Sequence, residues 1–273
     1  MPDRVLPRLL AVAACLLLFA TGCGESPRRL VLTGSSTVAP LASEIALRFE
    51  ARHPGVRVDV QSGGSSRGIA DARDGSADVG MVSRALKDTE RDLVASAIAQ
   101  DGICLIAHNH NPVTSLSDEQ VIGIYTGRIT RWSAVGGADA PITVVTKAEG
   151  RSTLELFLAH FRLTVSQIEA DVVIGDNEQG IKTVAGNPDA VGYVSIGTAE
   201  YDAAHGVGIK LLGLGGAVPS TASVRAGTFP ISRPLNLVTL GPATGLAREF
   251  IEFAGSDQVR DLVQAQSFAP PAR

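Results

Sequence analysis

Aromatic residues are scarce, at 4% of 273 residues with a single Trp. That scarcity disfavours a carbohydrate receptor, which stacks sugars on rings, and it leaves most of the core to Val, Leu, Ile and Ala. Nor is there an excess of basic charge, since 24 Lys and Arg stand against 28 Asp and Glu for a net charge of −4. That balance offers no surface for nucleic acid or an anionic membrane. Cysteine is rare too. Of three, Cys15 lies in the leading apolar run, Cys104 in a strand-like run, and Cys23 has no evident disulfide partner.

The apolar run from Leu9 to Ala20 is too short to span a bilayer, which takes about 20 residues. Arg4 and Arg8 before it, and Thr21-Gly22 after it, give the layout of a secretory signal. Ala20-Thr21-Gly22-Cys23 resembles a bacterial lipobox. The expectation is a signal over 1–22, lipid on Cys23 and a short tether over 23–29. Lipidation would also remove a thiol that is a liability in an oxidising compartment. Loss of residues 1–22 takes away Arg4, Arg8 and Asp3, so the net charge moves from −4 to −5. An anionic ligand would then be held by local dipoles and a few placed charges, against a weakly repulsive overall field.

From Leu30 the pattern alternates strand and helix, with strands over 30–33, 56–61 and 77–82, and helices over 38–52 and just after Ser66. Such alternation implies a parallel sheet covered on both faces. A second series begins after a strand over 102–107, with helices over 118–125, 153–161 and 178–185 and strands over 142–146, 172–174 and 191–194. Residues 219–234 read as a loop, 235–240 as a strand, and 245–254 and 257–266 as closing helices.

One device occurs three times: a strand ends in small hydroxyl residues and a helix begins at once. The three are Gly34-Ser35-Ser36-Thr37, Gly63-Gly64-Ser65-Ser66, and Glu149-Gly150-Arg151-Ser152-Thr153. A helix start leaves backbone N–H groups unpaired and carries about half a positive charge, so anions settle there. Ser and Thr add donors, and Gly lets the backbone approach. A lone Ser or Thr before a helix is normally a plain N-cap, but three such loops in one chain point to an oxyanion site. Each hydrogen bond to a charged group contributes about 1.5–3 kcal/mol, and micromolar binding needs about 8 kcal/mol net.

Gly34-Ser35-Ser36-Thr37-Val38-Ala39-Pro40, Ser62-Gly63-Gly64-Ser65-Ser66 and Asp78-Val79-Gly80-Met81-Val82-Ser83-Arg84 follow one another at fitting separations. With 125–132, 190–194 and Phe229-Pro230-Ile231-Ser232-Arg233-Pro234-Leu235, they resemble the phosphate-binding proteins of bacterial phosphate ABC importers, a type II solute-binding family. The resemblance covers nearly the whole chain after the leader. It implies an α/β fold of two lobes joined by two hinge strands, each lobe a mostly parallel sheet flanked by helices. Lobe 1 would be 30–107 with 234–273, and lobe 2 would be 108–233. The implied ligand is inorganic phosphate or a related tetrahedral oxyanion, and the implied partner is a membrane permease. Neither metal nor cofactor is implied, and the default state is a monomer.

By motif position the implied ligand contacts are Ser36, Thr37, Ser65, Ser83, Arg151, Ser152 and Thr153, with Lys147, Glu149, Arg67 and Arg84 around them. Two positions depart from the better-known members. Ser83 stands where many carry an aspartate, and Lys147 stands where they carry an arginine, with Arg151 at the first serine of the loop. Without that aspartate, phosphate is less sharply favoured over sulfate or arsenate. Arg151 can supply a bidentate fork instead.

Three other readings fit parts of the sequence. Gly64-Ser65-Ser66-Arg67-Gly68 fits the Gly-x-Ser-x-Gly elbow of serine hydrolases, with Ser66 as nucleophile and His205 as base. His108 and His110 fall on one side of a continued strand, but no third ligand lies near them, so rim histidines are expected. The third is an oxyanion-sensing or scaffold envelope protein with an altered cleft.

Overall fold

The computed structural model describes residues 28–271, so the leader, Cys23 and most of the tether lie outside the described residues. The chain opens with β1 (Arg28–Gly34), α1 (Ala39–Arg52), β2 (Val56–Ser62), α2 (Ser65–Asp74) and β3 (Val79–Val82). The long strand β4 (Leu93–His108) and the short β5 (Ser115–Leu116) come next. Then follow α3 (Asp118–Tyr125), β6 (Thr143–Lys147), α4 (Ser152–Phe161), β7 (Val172–Ile174), α5 (Asn177–Ala185) and β8 (Ala190–Ser195). The last part holds α6 (Ile196–Ala204), β9 (Ile209–Leu214), α7 (Thr221–Arg225), β10 (Ser232–Leu240), α8 (Gly245–Ala254) and α9 (Arg260–Ala265).

The strand order is β2-β1-β3-β10-β4-β8-β6-β7, with β9 beside β4 and β5 beside β9. β1 runs parallel to β2 and β3, as β6 does to β7 and β8. Strand β4 joins the two halves. Its first part pairs antiparallel with β10, and its end, from Ile103, pairs with β8 and β9. It gives Ile98 and Ala99 to one core and Ile103–Ala107 to the other. The result is a mixed α/β fold of two lobes with two connecting strands, as expected.

Two large apolar clusters fill the lobes, with a small third one of Ile69, Ala72, Val82, Leu93 and Val238 beside α2. In the first, Phe49 meets Phe250 edge to face at 5.3 Å, an arrangement worth about 0.5–1.5 kcal/mol beyond area burial. In the second, Phe157 of α4 stacks on Tyr193 of β8 at 4.0 Å, with Tyr125 beside both. This aromatic block fixes α4 against the sheet, and so fixes the loop that precedes it. Helix α2 lies so close to the sheet that a Cβ on Gly68 would sit 2.7 Å from the Thr33 carbonyl and 2.9 Å from that of Met81. Only glycine permits that approach, and it brings the α2 N-terminus beside the ends of β1 and β3.

Some elements differ from the sequence expectation. Strand β4 starts at Leu93 rather than Gly102, because Ala95, Ser96 and Ala97 pair with β10 although they carry no strong strand pattern. Within 219–234, read as a loop, α7 forms because Ser220 and Ser223 cap each other's backbone amides. β10 begins at Ser232, and residues 257–259 form a tight 3-10 turn ahead of α9.

Candidate functional site

The ends of β1, β3 and β6 and the starts of α1, α2 and α4 converge on one side chain, Arg233 of β10. It is buried, and its Nε and Nη2 donate to Asp101 Oδ2 of β4 at 3.1 and 2.8 Å. Its other hydrogens reach outward, from Nη2 to Thr37 Oγ1 at 3.3 Å and from Nη1 to Thr153 Oγ1 at 2.9 Å and Ser83 Oγ at 3.4 Å. One guanidinium thus gathers hydroxyls from three separate loops.

The hydroxyls are oriented by their own neighbours. Ser35 Oγ accepts from the Thr37 and Val38 amides at 3.2 and 3.3 Å, capping the first turn before α1. Both its lone pairs are then engaged, so its proton goes to Ser83 Oγ at 2.9 Å. The Ser83 amide donates to Ser65 Oγ at 3.1 Å. Asn177, at the start of α5, donates to Thr37 Oγ1 at 3.2 Å and accepts from Lys147 Nζ at 2.9 Å. Ser152 Oγ is buried with no hydrogen-bond partner among the described residues.

Lys147 is buried as well. Burial first, then the Arg233 cation nearby and more weakly that of Arg151, push its ammonium down to about 7, while Asp176 acts the other way.

The cleft is held shut by contacts between the lobes. The Ser66 amide donates to the Gly150 carbonyl at 3.3 Å. Gly64, at φ +101°, lies under that same carbonyl, and a Cβ there would come within 2.8 Å of it.

Among the contacts expected from sequence, Thr37, Ser65, Ser83 and Thr153 meet in this network, and Ser152 lies buried beside Thr153. Ser36 is half-buried at the mouth, where it lines an opening with Ser62, Asp176 and Asn177. Arg151 lies across Gly64, its Cδ 3.1 Å from where a Cβ would be, and makes no side-chain hydrogen bond among the described residues. Of the surrounding four, Lys147 is in the network itself. Arg84 is buried in a twin-bonded pair with Glu90 at 2.7 and 2.8 Å. Arg67 pairs with Asp71 and Gln61 on the surface, and Glu149 is exposed.

Comparison with known proteins bears on what such a cleft belongs to. The family model of the PBP superfamily domain matches residues 21–258. This chain belongs to the PBP superfamily. Within that superfamily it is similar to a Clostridium perfringens protein assigned to phosphate ABC transport and solved with phosphate bound. That likeness has 30% identity and a TM-score of 0.83, and covers 90% of this chain and all of that one. An ABC-type phosphate transport receptor from Vibrio cholerae is 31% identical with a TM-score of 0.74, over 89% of this chain and all of the other. The phosphate-binding protein PstS of Bacillus subtilis is 25% identical over 96% of this chain and 93% of its own length. These PBP-superfamily relatives are substrate-binding proteins.

Neither rival constellation is assembled among the described residues of this PBP-superfamily chain. The Ser66 hydroxyl turns to Glu155 Oε1 at 3.4 Å, while His205 Nδ1 pairs with the Tyr201 carbonyl at 2.8 Å. The His108 and His110 rings stand edge to face at 4.9 Å, and no group of three metal-ligating side chains occurs among the described residues. No described helix is long and apolar enough to cross a membrane.

Sequence reasoning missed Arg233, Asp101 and Asn177. A signal existed for two of them. Asp101 and Arg233 are charges set within strand-forming runs, and a charge in such a place needs a partner.

Proposed function

We propose that this chain is the extracytoplasmic solute receptor of an ABC importer, anchored by lipid on Cys23. It captures inorganic phosphate or a close tetrahedral oxyanion between its lobes and delivers it, as a monomer, to a membrane permease. The observation that carries this reading is the electrostatics of the cleft: two buried basic side chains face it, Arg233, whose carboxylate partner is Asp101, and Lys147, whose nitrogen is bonded to the neutral Asn177 and has no carboxylate of its own among the described residues. Uncompensated buried charge is costly, and an anion seated here would offset it.

The hydroxyls support the same reading. Thr37, Ser65, Ser83 and Thr153 already accept hydrogen bonds from protein donors, so their protons are free for a ligand. Charge-assisted bonds of this kind are short and strong. The similarity to receptors named for phosphate makes that anion the first candidate. The ligand-contacting set is Thr37, Ser65, Ser83, Ser152 and Thr153 with Lys147; Arg233, whose five N–H groups are given to Asp101 and the hydroxyls, orients that set and supplies positive charge behind it, and Ser36 and Arg151 stand at the edge. Closure then removes water and strengthens each polar contact.

The test is calorimetric titration of the protein lacking residues 1–23, stripped of bound anion, with phosphate and with sulfate. Saturable binding of a tetrahedral oxyanion that is lost in Arg233→Met upholds the reading. Absence of binding by either anion rejects it.

A further inference from the structure

Glu155 lies in the first turn of α4, in the second lobe, and its polar partners are all across the cleft. Its Oε2 is 2.6 Å from Lys87 Nζ and 3.1 Å from Arg84 Nε, and its Oε1 accepts from the Ser66 hydroxyl at 3.4 Å. The first-lobe side of this contact is built in advance. Arg84 is gripped by Glu90 through two parallel bonds, with side chains 5% and 8% exposed, and Glu90 also accepts from the Lys87 amide at 2.8 Å. Two cations and one carboxylate leave that edge one positive charge in excess. Glu155 is the charge that balances it, and it arrives only when the lobes meet.

The contact is coupled to the cleft by sequence neighbours. Arg84 follows Ser83, and Glu155 lies two residues after Thr153. Ser83 and Thr153 are the two hydroxyls, one from each lobe, that share Arg233 Nη1 at 3.4 and 2.9 Å. None of the polar side-chain contacts of Glu155, one hydrogen bond from Ser66 and ion pairs with Lys87 and Arg84, goes to the residues gathered round Arg233.

We propose that Glu155 is the electrostatic latch of the cleft, a positioning residue that sets how long the lobes stay closed round an anion it does not touch. This rests on the receptor reading above. A latch of this kind has a distinct kinetic form. Breaking a pair that forms after encounter acts on dissociation more than on association. Because the Lys87 side chain is 54% exposed and that of Glu155 24%, salt screens the pair.

The experiment is stopped-flow measurement of phosphate association and release by the purified protein, over a range of sodium chloride concentration. Wild type is compared with the near-isosteric Glu155→Gln, with Lys87→Gln and with the double variant. Release is expected to be about tenfold faster in Glu155→Gln, with association changed less than threefold. Added salt should speed release from wild type and have little effect on the variant, and the two single effects should not add in the double variant. Lys87→Gln alters only an exposed side chain, so it keeps the test open should Glu155→Gln fold poorly. Wild-type release rates in both single variants, or unchanged salt dependence in Glu155→Gln, would overturn the latch while leaving the receptor reading intact. Failure of wild type itself to bind phosphate or sulfate overturns both.

Discussion

Arg233 and Asp101 meet inside the protein at 2.8 Å, on two strands that both run between the lobes, with side chains 0% and 1% exposed. Asp101 also accepts from the Gly197 amide at 3.2 Å, so it ties β10, β4 and the start of α6 together. The pair holds the cationic fork at the point where Thr37, Ser83 and Thr153 meet. Removing one partner of a buried ion pair costs about 3–5 kcal/mol, because the other charge is left uncompensated. Asp101→Asn is therefore expected to lower unfolding free energy by that amount in a denaturant titration. Replacement of both residues together by apolar ones should cost much less stability and still abolish anion binding. Equal stability losses in the single and double variants would count against this account.

Lys147 gives a pH dependence whose sign is fixed. Its ammonium falls from the usual 10.5 to about 7 through burial and the Arg233 cation, so between these values the unfolded chain holds more protons than the anion-free folded one. Stability contributed by this group therefore rises with pH across that window and is least below 7. An anion in the cleft favours the charged form, so binding at pH 8 should take up a proton at Lys147. Calorimetry with sulfate, in two buffers of different ionisation enthalpy, measures that uptake. The extra uptake should vanish in Lys147→Met, and identical uptake in both proteins would exclude Lys147 as its source.

Gly64 tests closure from the backbone side. At φ +101°, with a Cβ that would stand 2.8 Å from the Gly150 carbonyl of the other lobe, alanine is opposed twice. The φ of +101° with ψ 155° is a backbone that essentially only glycine adopts, and holding alanine there costs about 1–3 kcal/mol whether the lobes are open or closed. The collision applies only when they close. Gly64→Ala should lower the melting midpoint of the anion-free protein by a few degrees, at about 2–4 °C per kcal/mol. It should weaken anion affinity by at least tenfold. Unchanged affinity would mean that the two loops do not meet in the bound form.

The fold and three of the binding loops were legible because they are local. A hydroxyl-rich turn between an apolar strand and an amphipathic helix is written in consecutive residues, as at 34–38 and 149–154. The centre of the cleft was not legible in that way. Arg233 lies 132 positions from Asp101 and 196 from Thr37, and no periodicity links residues so far apart. Arg151 shows the converse limit: its place in the loop suggested a contact, but the side chain turns over Gly64. Likewise the Ala95–Ala97 part of β4 is a strand because β10 pairs with it, not because of its own composition. A side-chain contrast follows, with Thr153→Ala expected to weaken binding by at least tenfold and Arg151→Ala by less than threefold, at about 1.4 kcal/mol per factor of ten. Equal effects would return Arg151 to the contact set.

Anion selectivity follows from where the acceptors are. Ser35, with its own lone pairs held by the Thr37 and Val38 amides, donates to Ser83 Oγ, which also receives Arg233 Nη1. The Ser83 proton is therefore left to donate, and so is that of Thr37, whose oxygen receives both Asn177 and Arg233. Asp101 is turned to the far edge of the guanidinium and to the Gly197 amide. A cleft whose central hydroxyls present donors, with Asp101 turned away and Asp176 out at the mouth, discriminates weakly against an anion without protons, so wild type should bind sulfate measurably beside phosphate. Ser83→Asp adds the missing acceptor. Like-charge juxtaposition costs several kcal/mol, which falls on fully ionised sulfate, whereas a protonated phosphate can donate to the new carboxylate. The ratio of phosphate to sulfate affinity should rise by about a hundredfold or more, at about 1.4 kcal/mol per factor of ten. Competitive titration of the two anions measures the ratio, and a ratio equal in variant and wild type would mean that selectivity is set elsewhere in the cleft.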